Sequence, residues 1–323
     1  MLNISVISVQ FIEFLSTIDF LYISSMDKDA LDTFLAIHRL GSFSKAAEAL
    51  HRTQPAISSR MRLLEQALGA PLFERISGGI ALSQAGRVLL PFAERAVAAL
   101  QDAEHAVRAL RTEHAGPVSL AVVGTLAGPK LTHVLQRFAA AHPGVDLRLQ
   151  TARSAEISDL VRRGEATLGL RYDRDRSSDL QLDAVATEAQ RVVCAPAHPL
   201  AGCSLDALAA LRDERWIAFP DTPGKREIAA AHVFALFLAR GLGEVDWLPV
   251  DSLTAQKRLV EAGFGIALMP ESNSAEELAS GALRVIAVAD LDARMPVYAV
   301  MRRGGYLSEA ARALRSLLAD YAA

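Results

Sequence analysis

Apolar residues recur every three to four positions from residue 27 to residue 68, and this spacing predicts three short helices. Ser44 is expected to cap the second helix, at residues 45–50. Thr53 is expected to cap the third, which carries Pro55 in its first turn and ends at Gly69. Two helices joined by so short a turn form a helix-turn-helix, so the sequence predicts this motif.

The third helix has an apolar side and a polar side. Its apolar residues are Ile57, Met61, Leu64 and Leu68. In a helix-turn-helix, the first residues of the second helix enter the major groove of DNA, where Gln, Ser and Arg hydrogen-bond base edges. The candidates for base contact are Gln54, Pro55, Ser58, Ser59 and Arg62. The candidates for phosphate contact are Lys45, Arg52 and Thr53. Taken alone, the pattern also fits ordinary solvated side chains.

A hairpin signal follows the third helix. Gly78 and Gly79 separate two short apolar runs at residues 72–73 and 80–82. A β wing beside a helix-turn-helix contacts the DNA backbone or minor groove, and Arg75 is the charged candidate for that contact.

With these elements in place, residues 34–86 resemble the N-terminal domain of LysR-type transcriptional regulators. The matching positions are Phe34, Gly41, Ser42, Phe43, Ala46, Ala47, Leu50, Gln54, Pro55, Ala56, Ser58, Leu64, Glu65, Leu68, Gly69, Leu72, Phe73, Arg75, Leu82 and Gly86. The resemblance implies a winged helix-turn-helix over residues 26–84. One departure is that the wing lacks the further basic residues common in the family near Gly78 and Ala81.

A long amphipathic segment at residues 85–112 predicts a linker helix. Its apolar residues alternate in steps of four and three, which is the seam of a coiled coil. This seam consists of Leu89, Ala93, Ala96, Leu100, Ala103, Val107 and Leu110. The pattern favours dimerisation over the alternative of packing on the chain's own domain, and the resemblance likewise implies a dimerising linker helix.

The second half alternates strand and helix patterns, which predicts an α/β domain with a parallel sheet. Ligands of such sheets bind at the carboxyl ends of strands, where Thr125, Thr151 and Arg153 fall. Helices that begin near Thr125 and Ser154 offer free N–H groups to an anion. Together with Arg153, they favour a ligand that bears a carboxylate.

Residues 117–323 resemble the effector-binding domain of the same family, on the residues 198–201, 260–263 and 265–270. The resemblance implies two lobes like those of periplasmic binding proteins, at 117–171 with 272–323 and at 172–271, joined by two crossing strands. The effector site is then the cleft between them. The cleft candidates carried over by position are Thr125, Thr151, Tyr172, Thr222 and Ser252.

Composition narrows the class of protein. The 323 residues carry a formal net charge of −3, but residues 39–87 contain seven basic and three acidic side chains. This asymmetry suits one segment that meets an anion such as DNA. Two cysteines, Cys194 and Cys203, fit a reducing cytoplasm. Residues 1–25 are apolar but lack the basic start of a signal peptide, so they are expected to be a mis-set translation start or a disordered extension.

No catalytic motif, metal-ligand spacing or cofactor fingerprint is found in the sequence. The sequence therefore predicts a cytoplasmic, non-enzymatic transcription regulator that binds double-stranded DNA as a homodimer or homotetramer. A small-molecule effector, expected to be a carboxylate, switches it, and neither a cofactor nor a membrane is involved. The alternatives are a redox-responsive or ligand-free regulator of the same fold, and a solute-binding protein or enzyme with a non-DNA-binding N-terminal arm.

Overall fold

The computed structural model describes residues 26–77, 79–109, 117–219, 228–319 and 321. The extension at residues 1–25, Gly78, Leu110 and Thr222 lie outside the described residues. The chain divides into two compact units, one up to Gln101 and one from Asp102 onward.

The first unit is a winged helix-turn-helix. Its elements are α1 (Lys28–Leu40), α2 (Phe43–Ala49), α3 (Gln54–Leu68), β1 (Phe73–Ile76), β2 (Gly79–Leu82) and the first part of α4 (Gln84–Ala109). The core contains Phe34, Ile37, Met61 and Leu64, all almost fully buried. Three of the four apolar residues expected on α3 are buried, and Leu68 is partly buried against the same core.

The caps of α3 agree with the sequence, whereas the cap of α2 does not. The Thr53 hydroxyl accepts a hydrogen bond from the Ala56 N–H, and Gly69 ends the helix with a left-handed φ of 69°. Helix α2, however, begins at Phe43 and is capped by Ser42, so Ser44 lies inside its first turn. The reason is tertiary, since the Phe43 ring packs edge-on against Phe73 of the wing at 5.9 Å between ring centroids.

The wing packs closely against the start of α4. Strands β1 and β2 are antiparallel, as expected from the hairpin signal. The Leu72 carbonyl, just before β1, accepts a hydrogen bond from the Ser83 N–H at 2.9 Å. A Cβ on Gly86 would lie 2.2 Å from that same carbonyl oxygen. Only glycine therefore lets the helix approach the wing at this distance.

The second unit is an α/β domain built on one large mixed sheet. Its strands are β3 (Val118–Val122), β4 (Leu147–Thr151), β5 (Leu168–Tyr172), β6 (Leu180–Cys194), β7 (Ser204–Leu205), β8 (Arg215–Ala218), β9 (Asp246–Pro249), β10 (Ala267–Pro270), β11 (Arg284–Val288) and β12 (Arg294–Arg302). Its helices are α5 (Pro129–Ala141), α6 (Ser154–Arg162), α7 (Ile228–Ala239), α8 (Leu253–Glu261), α9 (Glu271–Ser280) and α10 (Glu309–Ala319). Short 3-10 turns lie at Gly124–Leu126 and Leu208–Leu211.

The sheet is parallel only in part. Strands β4, β3 and β5 pair in parallel, as the alternating pattern predicts. Strand β12 is antiparallel to both β5 and β6, and β10 and β11 are also antiparallel to β6. Strands β8 and β9 form a separate parallel pair.

The domain has two lobes, but their boundary differs from the expected division at residues 172 and 272. Tyr172, Leu180 and Val185 belong to the core of the first lobe, together with apolar residues of β12 and α10. Leu278 and Leu283 instead pack in the second lobe. The reason is the 15-residue strand β6, whose first part pairs with β12 in one lobe and whose last part pairs with β10 and β11 in the other.

Among the described residues, no helix combines the length and apolar character that crossing a lipid bilayer requires.

Candidate functional site

The exposed side of α3 begins with the polar residues expected to read DNA. Gln54, Pro55, Ser59 and Arg62 are exposed, and Ser58 is half-buried. The Gln54 Nε2 donates a hydrogen bond to the Ser58 Oγ, one turn further on, at 2.9 Å. This bond orients the glutamine amide along the helix and leaves its oxygen as an acceptor.

The phosphate candidates are exposed, but two of them have partners within the domain. Lys45 and Arg75 are exposed on α2 and β1. Arg52 forms a loose ion pair with Asp29 at 3.9 Å, and both side chains are more than half exposed. Such a pair is weak in water, so the arginine can exchange it for a phosphate. Thr53 uses its oxygen as the cap of α3, but its hydroxyl hydrogen can still be donated.

The linker helix α4 presents an apolar face whose first half differs from the expected seam. Ala93 is 1% exposed and Leu89 is partly buried, and both pack on the helix-turn-helix core. Val88 and Phe92 are exposed in their place. In the second half, Leu100 and Val107 are exposed as expected, as are Ala96 and Ala103. The exposed face therefore runs through Val88, Phe92, Ala96, Leu100, Ala103 and Val107.

A narrow cavity lies between the two lobes of the second unit, with about 50 Å³ of free space. Thr125 lines it beyond the carboxyl end of β3, and Tyr172, Ala218 and Pro270 line it as the last residues of β5, β8 and β10. This is the edge at which open α/β sheets bind ligands. The other described lining residues are Gln190, Trp216, Phe219, Val233, Phe234, Trp247, Leu253, Gln256, Leu268 and Met295.

Only part of the expected ligand set reaches this cavity. Thr125 and Tyr172 do, whereas Thr151, Arg153 and Ser252 are not in its lining. Ser252 caps α8, because its hydroxyl accepts a hydrogen bond from the Ala255 N–H. Arg153 precedes α6 and forms an ion pair with Glu156 at 3.4 Å. The side chains of Ser252 and Arg153 therefore serve local structure at helix starts, and Thr151 is exposed at the end of β4.

Several lining residues were missed by sequence reasoning. Gln190 lies in the last part of β6, which pairs with β10, and Trp247 is on β9, a strand that the sequence pattern did not predict. Gln256 is buried on α8 and donates through Nε2 to the Ile217 carbonyl at 2.7 Å. One sequence signal pointed to this region. The apolar run that begins at Trp216 forms β8, and residues at the carboxyl end of that strand line the cavity.

Two hydrogen bonds join the start of α9 to the first lobe, one of them at Thr125, which lines the cleft. The side-chain amide of Asn273, on α9 of the second lobe, donates a hydrogen bond to the Thr125 carbonyl of the first lobe. The Glu188 carboxylate, on β6, accepts from the Ser272 N–H at 3.2 Å. These bonds hold the start of α9 against the first lobe and must rearrange if the lobes move apart.

The cysteines do not form a reactive pair. Burial raises the pKa of the Cys194 thiol to about 11, and the Glu214 carboxylate adds to this shift. Because the thiolate is the reactive form, Cys194 is poorly suited to sensing oxidants. Cys203 is exposed and the two thiols are not bonded to each other. Within the described part of the chain, no group of three or more His, Cys, Asp or Glu side chains is placed to hold a metal ion.

A winged helix-turn-helix with a polar face on its second helix, joined to a two-lobed α/β domain with a central cleft, defines a DNA-binding regulator with a small-molecule-binding domain. Comparison with protein families agrees with this class. The LysR substrate binding domain matches residues 111–323, and the bacterial regulatory helix-turn-helix protein of the lysR family matches residues 29–87. The chain belongs to the LysR family of transcription regulators.

Relatives in this family cover most of the chain. The transcriptional regulator CfxR of Cupriavidus necator is 29% identical over 91% of this chain and 91% of its own length. IlvR of Caulobacter vibrioides is 32% identical over 76% of this chain and 83% of its own length. The crystal structure of CbnR is 23% identical, covers 92% of this chain and 100% of its own, and has a TM-score of 0.62. At that identity it shows the fold alone.

Proposed function

We propose that this chain regulates transcription in the cytoplasm by binding DNA as a homodimer, with each copy placing the start of α3 in a major groove. The observation that carries the proposal is the exposed polar side of α3, where Gln54 hydrogen-bonds Ser58, opposite the buried residues Ile57, Met61 and Leu64. A Gln amide matches the donor and acceptor pattern of adenine, and Ser and Arg can hydrogen-bond the edges of further bases. Lys45, Arg52 and Arg75 serve as phosphate contacts around it.

The exposed apolar face of α4 supports the dimer. A soluble helix with one uncovered apolar stripe needs a partner, and a second copy of the same stripe is self-complementary. Leu100 and Val107 remain 44% and 56% exposed in the single chain. Two copies that pair through this face bring two recognition helices to one DNA site, and a two-fold symmetric protein requires a partly palindromic site.

The cleft between the lobes is the proposed effector site. An effector that binds one arrangement of the lobes better than another shifts the balance between them. The contacts of Asn273 and Glu188 at the cleft are among those that must change in this motion. The same equilibrium between lobe arrangements sets the relative orientation of the two DNA-binding domains in the dimer. That orientation in turn sets how far the bound DNA is bent.

The test is a nuclease footprint of the full chain on the DNA upstream of its own gene, with the variant Gln54→Ala/Ser58→Ala alongside. Each good base contact is worth about 1–3 kcal/mol, so loss of both contacts should weaken specific binding at least tenfold. Gln66→Ala is the matched control, because Gln66 is exposed at the far end of the same helix. A partly symmetric protected site that only the double variant loses supports the proposal.

Two outcomes contradict the proposal. Equal protection by the double variant would mean that the start of α3 does not read the site. No protection by the parent chain even at low salt, where non-specific contacts are strongest, would mean that the first unit is not a DNA-binding module in this protein.

A further inference from the structure

Five of the fourteen residues in the described lining of the cleft are aromatic. Trp247 lies 6.5 Å from Trp216 and 4.6 Å from Phe234, measured between ring centroids. Phe219 also lines the cavity. Rings at such distances pack edge to face or offset, and a further aromatic ring fits the same geometry.

Two polar atoms in the lining are buried and have no hydrogen-bond partner in the described structure. They are the hydroxyl oxygen of Thr125 and the Nε2 of Gln190. Gln190 is 6% exposed, so water does not readily satisfy its amide. Both groups can donate a hydrogen bond. A buried donor without an acceptor is unfavourable, and a ligand that brings an acceptor relieves that cost.

The described lining contains no charged side chain. Two basic residues that adjoin lining residues in sequence have partners elsewhere. Arg171, next to Tyr172, donates a hydrogen bond to Asp175. Arg191, next to Gln190, forms an ion pair with Glu271 at 3.2 Å. A carboxylate in the cavity would therefore lose its water without gaining a counter-charge from these residues, which is strongly unfavourable.

We propose that the effector is an uncharged aromatic molecule of about one ring that carries a hydrogen-bond acceptor. Its ring lies among Trp216, Phe234 and Trp247, and its acceptor receives hydrogen bonds from Thr125 and Gln190. This replaces the carboxylate expected from the sequence, and it rests on the proposed function of the cleft as the effector site. The free space of about 50 Å³ is less than the roughly 150 Å³ of a cavity that is able to bind benzene, so binding separates the lobes slightly.

The test uses three probes of similar size on the full chain at pH 7.5, namely acetophenone, benzoate and ethylbenzene. They differ in that one is a neutral acceptor, one is an anion and one has no polar group. Calorimetry measures affinity, and tryptophan fluorescence reports on the site, because the two tryptophans of the sequence both line the cleft. We expect acetophenone to bind at least tenfold more tightly than benzoate and about fivefold more tightly than ethylbenzene.

Variants connect this preference to the proposed donors. Gln190→Leu should remove most of the preference for acetophenone over ethylbenzene, while Gln150→Leu, at an exposed position on β4, should leave it unchanged. If Gln190→Leu fails to fold, Thr125→Val removes the other donor with little change in shape. An unchanged preference in the folded variant contradicts the assignment of the donors.

Benzoate binding as tight as that of acetophenone, with a change in tryptophan fluorescence, overturns the uncharged class but leaves the cleft as the effector site. Absence of binding by all three probes overturns the aromatic class. The footprint is measured on the same preparation, so loss of DNA binding is recognised separately from failure of the ligand proposal.

Discussion

The substitution Gly86→Ala tests whether the close approach of α4 to the wing holds the DNA-binding domain together. The added Cβ would lie 2.2 Å from the Leu72 carbonyl oxygen and 3.0 Å from the Leu82 side chain. The first contact is with backbone, so no change of side-chain rotamer relieves it. The Leu72 peptide is itself fixed, since its N–H donates to Glu65 at 2.8 Å and its carbonyl accepts from Ser83.

The expected loss of stability follows from three contributions. Forced overpacking of this kind costs about 1–3 kcal/mol. Displacing the Leu72 carbonyl weakens its hydrogen bond with Ser83, at a cost of about 1 kcal/mol. Alanine is favoured over glycine within a helix by about 1 kcal/mol, which offsets part of this. The net destabilisation of about 1–3 kcal/mol lowers the melting temperature of so small a domain by roughly 5–20 °C.

The positions of the tryptophans allow the two units to be followed separately. Both tryptophans are in the second unit, so tryptophan fluorescence reports on its unfolding alone. Far-ultraviolet circular dichroism reports on the helices of both units. Gly86→Ala should therefore lower the melting temperature of part of the circular dichroism transition and leave the melting temperature of the fluorescence transition unchanged.

The control is Gly128→Ala, where an added Cβ meets nothing within 4 Å and φ is −104°. It should leave the circular dichroism transition near that of the parent chain. The reasoning is refuted if Gly86→Ala melts like the parent, because alanine would then fit where the geometry leaves no room. It is also refuted if both signals shift equally, since the damage would not be confined to the first unit.

Three further predictions follow from the described contacts. Leu100→Glu combined with Val107→Glu should weaken the dimer at least tenfold in sedimentation equilibrium, because it places charge in the apolar face of α4; an unchanged mass would exclude that face. Alkylation of the native chain at pH 7.5 should label Cys203 and spare Cys194, whose pKa is raised to about 11 by burial; rapid labelling of Cys194 would contradict its burial. Burial tends to raise the pKa of Asp175, but hydrogen bonds from neighbouring serines and the charge of an adjacent arginine lower it to about 2. Its ionised form therefore stabilises the fold above pH 4, and this advantage over Asp175→Asn should fade as the pH falls towards 2 in acid-unfolding measurements.

Local elements were predictable where neighbours in sequence decide them. The Thr53 cap and the end of α3 at Gly69 depend on residues within one or two turns of the helix, and the structure agrees with both. Helix α9 and strand β9 were not predicted. The latter has only four residues, and it is stabilised by pairing with β8 more than thirty residues earlier.

The sequence by itself determined the helix-turn-helix, the polar face of its second helix and the alternation that makes an α/β domain, because these are recorded in spacing and caps along a single element. The tertiary structure decided which side of α4 remains exposed, where the lobes divide and what lines the cleft. A periodic pattern shows which face of an element is apolar, but it does not show which other element packs against that face. Ala93 packs on its own domain. Strand β6 joins both lobes because it pairs with β12 in one lobe, more than a hundred residues away, and with β10 and β11 in the other. Pairing of the last part of β6 with β10 places Gln190 in the same lining as Trp216, Phe234 and Trp247. These residues are distant in sequence, so the chemistry of the cleft could be inferred only from the assembled fold.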